Sequence, residues 1–248
     1  MYVKRAPGSL AEPWRVALAE AWDAYAAGTV PVGAVVVDVA GRVVCRGRNR
    51  VLDSAVAGQI GKSRLAHAEV NALLGLAGTT LDPRGLALYT TLEPCPLCVG
   101  AIVMANVRAI HYAARESFTG SIGLLDATPY LRSKAIVVYP PTDPMVEAVI
   151  TAMAVEFHLR VGGPRVRELV SGSFAVHPGA VRLAERLAAG GDWERLRHVA
   201  SNKTKRRPEP SGRRKPRYHP SWREPRAHSL RRRVQRPRLL TECRSGRV

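Results

Sequence analysis

Aromatic residues are scarce, 6% of the chain with only three Phe, so the core has to be built from aliphatic side chains and alanine. Cysteine is scarcer still: four in 248 residues, Cys45, Cys95, Cys98 and Cys243, with no framework spacing. A disulfide-stapled scaffold is excluded, and a reducing cytoplasm is the expected setting. No run of about 18 apolar residues occurs, and the stretch from Met1 to Trp14 has no signal-peptide core. Neither secretion nor a membrane partner is expected. Acidic residues are few as well, 20 against 38 Lys and Arg. From Ser201 onward 17 basic residues face three acidic ones, a net +14, whereas the first 200 residues carry only +4. Attraction for nucleic acid is therefore expected of this tail and not of the body.

Hydrophobic periodicity divides the body. Val16, Ala17, Ala19, Ala21, Trp22 and Tyr25 recur at helical spacing before Gly28. Residues 32–37 and 43–48 are rich in valine and joined by a turn of hairpin length, which predicts an antiparallel pair. Residues 49–67 lose periodicity and carry Gly58 and Gly61, as a surface loop does. Helices are predicted from His67 to Leu76, over 99–105 and over 144–159, and strands at 86–91, 109–113 and 135–139. This alternation predicts an α/β fold: a three-layer α/β/α sandwich with a mixed sheet of about five strands. Weaker patterning over 179–189, with Asp192 able to cap a last turn to Ala200, gives a helical extension over 161–200 after a first domain of 1–160. Residues 201–248 are dominated by Arg, Pro and Ser and bury too little to offset ordering entropy, so this basic tail is predicted to be disordered.

The chemistry is carried by His67-Ala68-Glu69 and, 26 positions after Glu69, by Cys95 in Pro94-Cys95-Pro96-Leu97-Cys98. Cysteines three apart at the start of a helix can aim both sulfurs at one point, where the helix N-terminus favours the thiolate. His67 supplies a third ligand, and three protein ligands leave one corner of a zinc tetrahedron for water, as in catalytic sites. Within a helix, residues two apart diverge by about 200°. At its first turn, however, His67 and Glu69 can both address a point beyond the helix end. Zinc lowers the pKa of water from about 15.7 towards about 7, and a nearby carboxylate can move the proton. A redox Cys-x-x-Cys pair has no use for His67 or Glu69, and a closed structural zinc site needs a fourth ligand that no other Cys or His is placed to give. Cys45 reads as a core thiol and His111 as a structural histidine within a strand.

H-x-E followed by P-C-x-x-C resembles the signature of the zinc-dependent nucleobase and nucleoside deaminase superfamily. The resemblance runs from about Pro13 to Leu159 and includes Thr29-Val30-Pro31-Val32-Gly33-Ala34, Gly47-Arg48-Asn49-Arg50 and Thr90-Thr91-Leu92-Glu93. It is nearest to tRNA adenosine deaminases, with guanine and cytosine deaminases close behind. It implies a cytidine deaminase-like fold, zinc held by His67, Cys95 and Cys98, proton transfer by Glu69, and a homodimer. It also implies that Asn49 and the backbone of Ala68 meet the substrate and that Val32 lines the pocket. Ala114-Arg115-Glu116-Ser117-Phe118-Thr119-Gly120 is similar to a nucleic-acid-contacting segment of the tRNA enzymes, with Glu116 in place of Asp. The loop 49–67 is longer than is usual in those enzymes, and a reshaped entrance is expected there. The expected function is hydrolytic deamination of a nucleobase or nucleoside with release of ammonia. The alternative is adenosine-to-inosine deamination in tRNA, and a remoter one is a non-catalytic zinc-containing nucleic-acid-binding protein. The basic tail is expected to contact RNA through its phosphates.

Overall fold

A computed structural model of the chain describes the backbone of residues 10–204 and the side chains of residues 10–198. Helix α1 (Glu12–Ala26) opens with proline in its first turn and sets Ala17, Ala21 and Ala24 inward. The predicted hairpin follows as β1 (Gly33–Val37) and β2 (Val43–Arg48), antiparallel from Gly33 opposite Arg48 to Val37 opposite Val43. Next come α2 (Ala68–Leu74), β3 (Ala87–Thr90), α3 (Pro96–Met104), β4 (Ala109–Tyr112), the short α4 (Pro129–Ser133), β5 (Val137–Tyr139) and α5 (Pro144–Val161). The extension forms α6 (Val166–Val176), α7 (Pro178–Gly190) and α8 (Trp193–Thr204).

The five strands lie in the order β2-β1-β3-β4-β5, with β1 antiparallel to β3 and β3, β4 and β5 parallel, the mixed sheet expected. Every residue of β1 is buried because the sheet is covered on both faces. On one face Ala34, Val36 and Leu88 pack with Ala68 and Ala72 of α2 and Val99, Ile102 and Val103 of α3. On the other, Val35 and Val37 meet Ala17 of α1, and Ala21 meets Ile150 of α5. Two glycines allow this closeness. A Cβ on Gly33 would fall 2.2 Å from the Ala17 carbonyl oxygen, and one on Gly47 would fall 2.3 Å from the Ala72 nitrogen. Cys45 is buried in the larger cluster, the core thiol expected.

Several predicted boundaries move by one to four residues. Helix α3 starts at Pro96 and not after Cys98, because proline fixes a helical φ and its missing N–H is not needed there. The last strand begins at Val137, two residues late, since Ala135 takes a positive φ of 48°. Helix α6 has no counterpart in the expected elements, and α8 continues four residues past Ala200. The predicted disorder of the tail lies outside the described residues, apart from Ser201 to Thr204 in that last turn. Among the described residues, no helix is long and apolar enough to cross a membrane.

Tyr89, His111 and Tyr139 stand side by side on β3, β4 and β5 and stack with ring centroids 4.1 Å apart. Burial holds the His111 imidazole down at about 4, from an ordinary 6.5. The unfolded chain takes up that proton near 6.5 while the folded chain does not, so the stabilisation is complete above 6.5 and is lost as pH falls towards 4. His111→Phe keeps the stack and removes the titration. Relative to wild type, the variant's melting temperature should rise more at about pH 5 than at about pH 7.5. Thermal unfolding at the two pH values checks it, and equal shifts at both would contradict it.

Candidate metal centre and its cavity

The two motifs meet because each opens a helix in the same layer. His67 is the N-cap of α2, Cys95 the N-cap of α3, and Cys98 lies in the first turn of α3. Cys95 Sγ and Cys98 Sγ each lie 3.5 Å from His67 Nδ1 and 3.6 Å from one another. Zinc held tetrahedrally at about 2.3 Å from sulfur and about 2.0 Å from nitrogen needs S···S near ~3.8 Å and S···N near ~3.5 Å. The triangle therefore fits zinc to within a few tenths of an ångström. It is the group suited to a metal ion among the described residues.

Within the triangle, Cys95 is held towards the thiolate that a zinc ligand must be. The hydrogen bond between the Cys95 and Cys98 sulfurs, with that from His67 adding, pulls the Cys95 thiol down to about 4. The same bond, then burial, pushes Cys98 up. His67 is raised, first by its bond to Cys95. Beside them Glu69 is 3% exposed, and burial raises its carboxyl above the ordinary range. Its Oε1 accepts from Thr90 Oγ1 at 3.0 Å and its Oε2 from Cys98 Sγ at 3.3 Å. A carboxylate placed on the ligand triangle without belonging to it is suited to proton transfer.

His67, Glu69 and Cys95 line a cavity of about 400 Å³. Of the residues that the resemblance marks, Val32, Asn49, His67, Glu69, Cys95 and Glu116 line it. Ala68 is fully buried at the start of α2 and is not on the wall. Asn49 Oδ1 is occupied by Thr29 Oγ1 at 2.8 Å and the Val51 N–H at 3.0 Å, which leaves its NH2 as the group free to donate. The Glu116 carboxylate is spent on its own turn, accepting from the Phe118 N–H at 2.9 Å and from the Thr119 N–H and hydroxyl.

The expected entrance loop does not reach the cavity: of residues 50–66 none lines it. Asn71 of α2 holds that loop aside by accepting from the Ile60 N–H and donating to the Ile60 carbonyl oxygen. The far wall instead comes from Thr151, Ala154 and His158 of α5 and Val166, Leu169 and Ser173 of α6. Sequence reasoning placed α5 but missed α6, which completes this wall. Val166, Leu169, Val170 and Phe174 do recur at helical spacing between Gly162-Gly163-Pro164 and Pro178, a signal sufficient to place α6. Gly172 seats it, since a Cβ there would lie 2.3 Å from Ser117 Oγ.

Comparison with known proteins matches residues 10–114 to the cytidine and deoxycytidylate deaminase zinc-binding region. The chain is 38% identical over 111 residues to a tRNA-specific adenosine deaminase of Haemophilus influenzae, covering 44% of this chain and 60% of that one. It is 33% identical over 110 residues to the tRNA-specific adenosine deaminase of Aquifex aeolicus, covering 44% of this chain and 68% of the relative. A guanine deaminase of Bacillus subtilis is 36% identical over 104 residues, 40% of this chain and 60% of its own length. The wall formed by α5 and α6 lies beyond the matched region.

Proposed function

We propose, since the chain belongs to the zinc-dependent cytidine and deoxycytidylate deaminase family, that it hydrolytically deaminates a free nucleobase or nucleoside. The observation that carries this reading is one cavity of about 400 Å³ lined by His67, Cys95 and Glu69 together with residues of α5 and α6. A cavity of this size, with residues of two helices added to its lining, suits a small molecule.

His67, Cys95 and Cys98 would hold the zinc. When bound, zinc activates water at neutral pH and stabilises negative charge on the oxygen added to the ring. Glu69 takes a proton from the attacking water and hands it to the ring nitrogen. It then moves the second proton of that water to the amine, which leaves as ammonia while the carbon keeps the oxygen as a carbonyl. The Asn49 NH2 donates to the base, Val32 packs on the ring, and Glu116 shapes the loop beside it. Homodimer assembly in a reducing cytoplasm and RNA binding by the tail belong to the same reading.

The test is ammonia release from free guanine, cytosine and adenine and from their nucleosides, set beside inosine formation in tRNA. The full chain and a chain ending at Thr204 are compared. Turnover of at least one small substrate by both chains is expected, with salt-dependent RNA binding confined to the full chain. Inosine in tRNA without ammonia from any small substrate would overturn the reading in favour of a tRNA enzyme.

A further inference from the structure

The reacting carbon of any substrate has to lie at Glu69, yet the cavity continues to the α5 and α6 wall. Thr151, Ala154 and His158 are spaced i, i+3, i+7, as are Val166, Leu169 and Ser173, so one face of each helix is turned to the ligand. The charged groups on the cavity are mostly committed elsewhere. Arg115 pairs with both oxygens of Glu147 at 2.9 and 3.0 Å, and Glu93 accepts from the N–H groups of Glu116 and Ile122. Arg165 is exposed and stands 5.8 Å over the Phe118 ring. What the far wall offers is neutral: two hydroxyls and the His158 imidazole, which burial keeps below its ordinary range.

One of those hydroxyls is unsatisfied. Thr151 is 5% exposed, and its Oγ1 is buried with no hydrogen-bond partner. A buried hydroxyl without a partner costs free energy that a ligand atom can restore. Threonine in a helix divides between χ1 rotamers, so a rotation exchanging methyl for hydroxyl at the cavity wall lets a ligand make the missing bond. A neutral wall of hydroxyls and imidazole matches a neutral polyol. A free base at the metal end leaves that wall unused.

We propose that Thr151, with Ser173 of the adjoining helix, reads the sugar of the substrate, so that the site prefers a nucleoside to the corresponding free base. This rests on the deaminase reading of the same cavity. Thr151→Val is close to isosteric and removes the hydroxyl, whereas Thr151→Ser keeps it. In the zinc-loaded full chain, Thr151→Val should lower the nucleoside-to-base ratio of kcat/KM about tenfold, mainly through KM, and Thr151→Ser should retain it. The melting temperature of Thr151→Val should not fall, since burying a methyl where an unpaired hydroxyl stood is not costly. In the wild type, removing a sugar hydroxyl from the nucleoside should cause a similar loss, and the two losses should not add. An unchanged ratio in Thr151→Val, or a ratio lost equally in Thr151→Ser, would overturn the proposal. If the wild type releases ammonia from none of the substrates, the deaminase reading fails separately. The dissociation constants of the same nucleoside and base pairs, by calorimetry on the zinc-loaded chain, then give the ratio, and absence of nucleoside binding overturns this proposal too.

Discussion

Glu69→Gln should lower kcat for ammonia release by about 10²- to 10⁴-fold while the chain continues to bind one zinc. The carboxylate is buried and lies against the ligand triangle, but the triangle is complete without it. Glutamine keeps the volume and can still accept from Thr90 Oγ1, the 3.0 Å bond that orients the side chain. What it cannot do is accept a proton from water and pass it on, so the loss should appear in kcat with little change in KM. Stability should hold or rise, because the variant no longer buries a group whose charged form burial disfavours. Steady-state ammonia release and metal content, measured on the same preparation, check both halves. Retained turnover would remove Glu69 from the reaction, and loss of zinc together with turnover would make it a structural residue.

That Glu69 stood out from the sequence, and the α5–α6 wall did not, has a physical cause. Metal chemistry constrains residue type and spacing so tightly that His67, Glu69, Cys95 and Cys98 are legible as a group once a helix start is placed at each motif. The sheet was legible for a similar reason. Valine-rich β1 and β2 bear a period and a turn that few other arrangements satisfy. The wall asks for much less, a helix face with small and polar residues at the right height, and many sequences meet that. Its position is set by tertiary contacts that leave only a faint mark, such as the absence of a side chain on Gly172 where Ser117 presses in. Asn49 sits between the two cases. Its place at a strand end was readable, but only the structure pairs its oxygen with Thr29 and so leaves the NH2 for the cavity. The loop 49–67 attracted attention by its length, and length says nothing of direction. Asn71, among other side chains, ties it back through Ile60 and away from the cavity.

Removing one corner of the triangle should have the second large effect. Cys98 is fully buried and its Sγ lies within hydrogen-bond reach of Cys95, His67 and Glu69 at once. Cys98→Ser keeps the side chain's shape but replaces a soft thiolate ligand with a hydroxyl that stays protonated at neutral pH, leaving two good ligands where three stood. Zinc should be lost on desalting, and ammonia release should fall to background. A tightly bound ligand stabilises the fold by about 4 kcal/mol when present at about a thousand times its dissociation constant, so the zinc-dependent part of the melting temperature should vanish as well. Cys45→Ala is the control. Cys45 is buried in the core cluster and is not one of the three ligands, so its truncation should cost about 1 kcal/mol of packing and leave metal binding intact. Atomic absorption and thermal unfolding with and without a chelator separate the two variants. A Cys98→Ser chain that keeps zinc and turnover would mean that the ligand set lies elsewhere, whereas one that keeps its fold but loses both ties the metal to the chemistry through that sulfur.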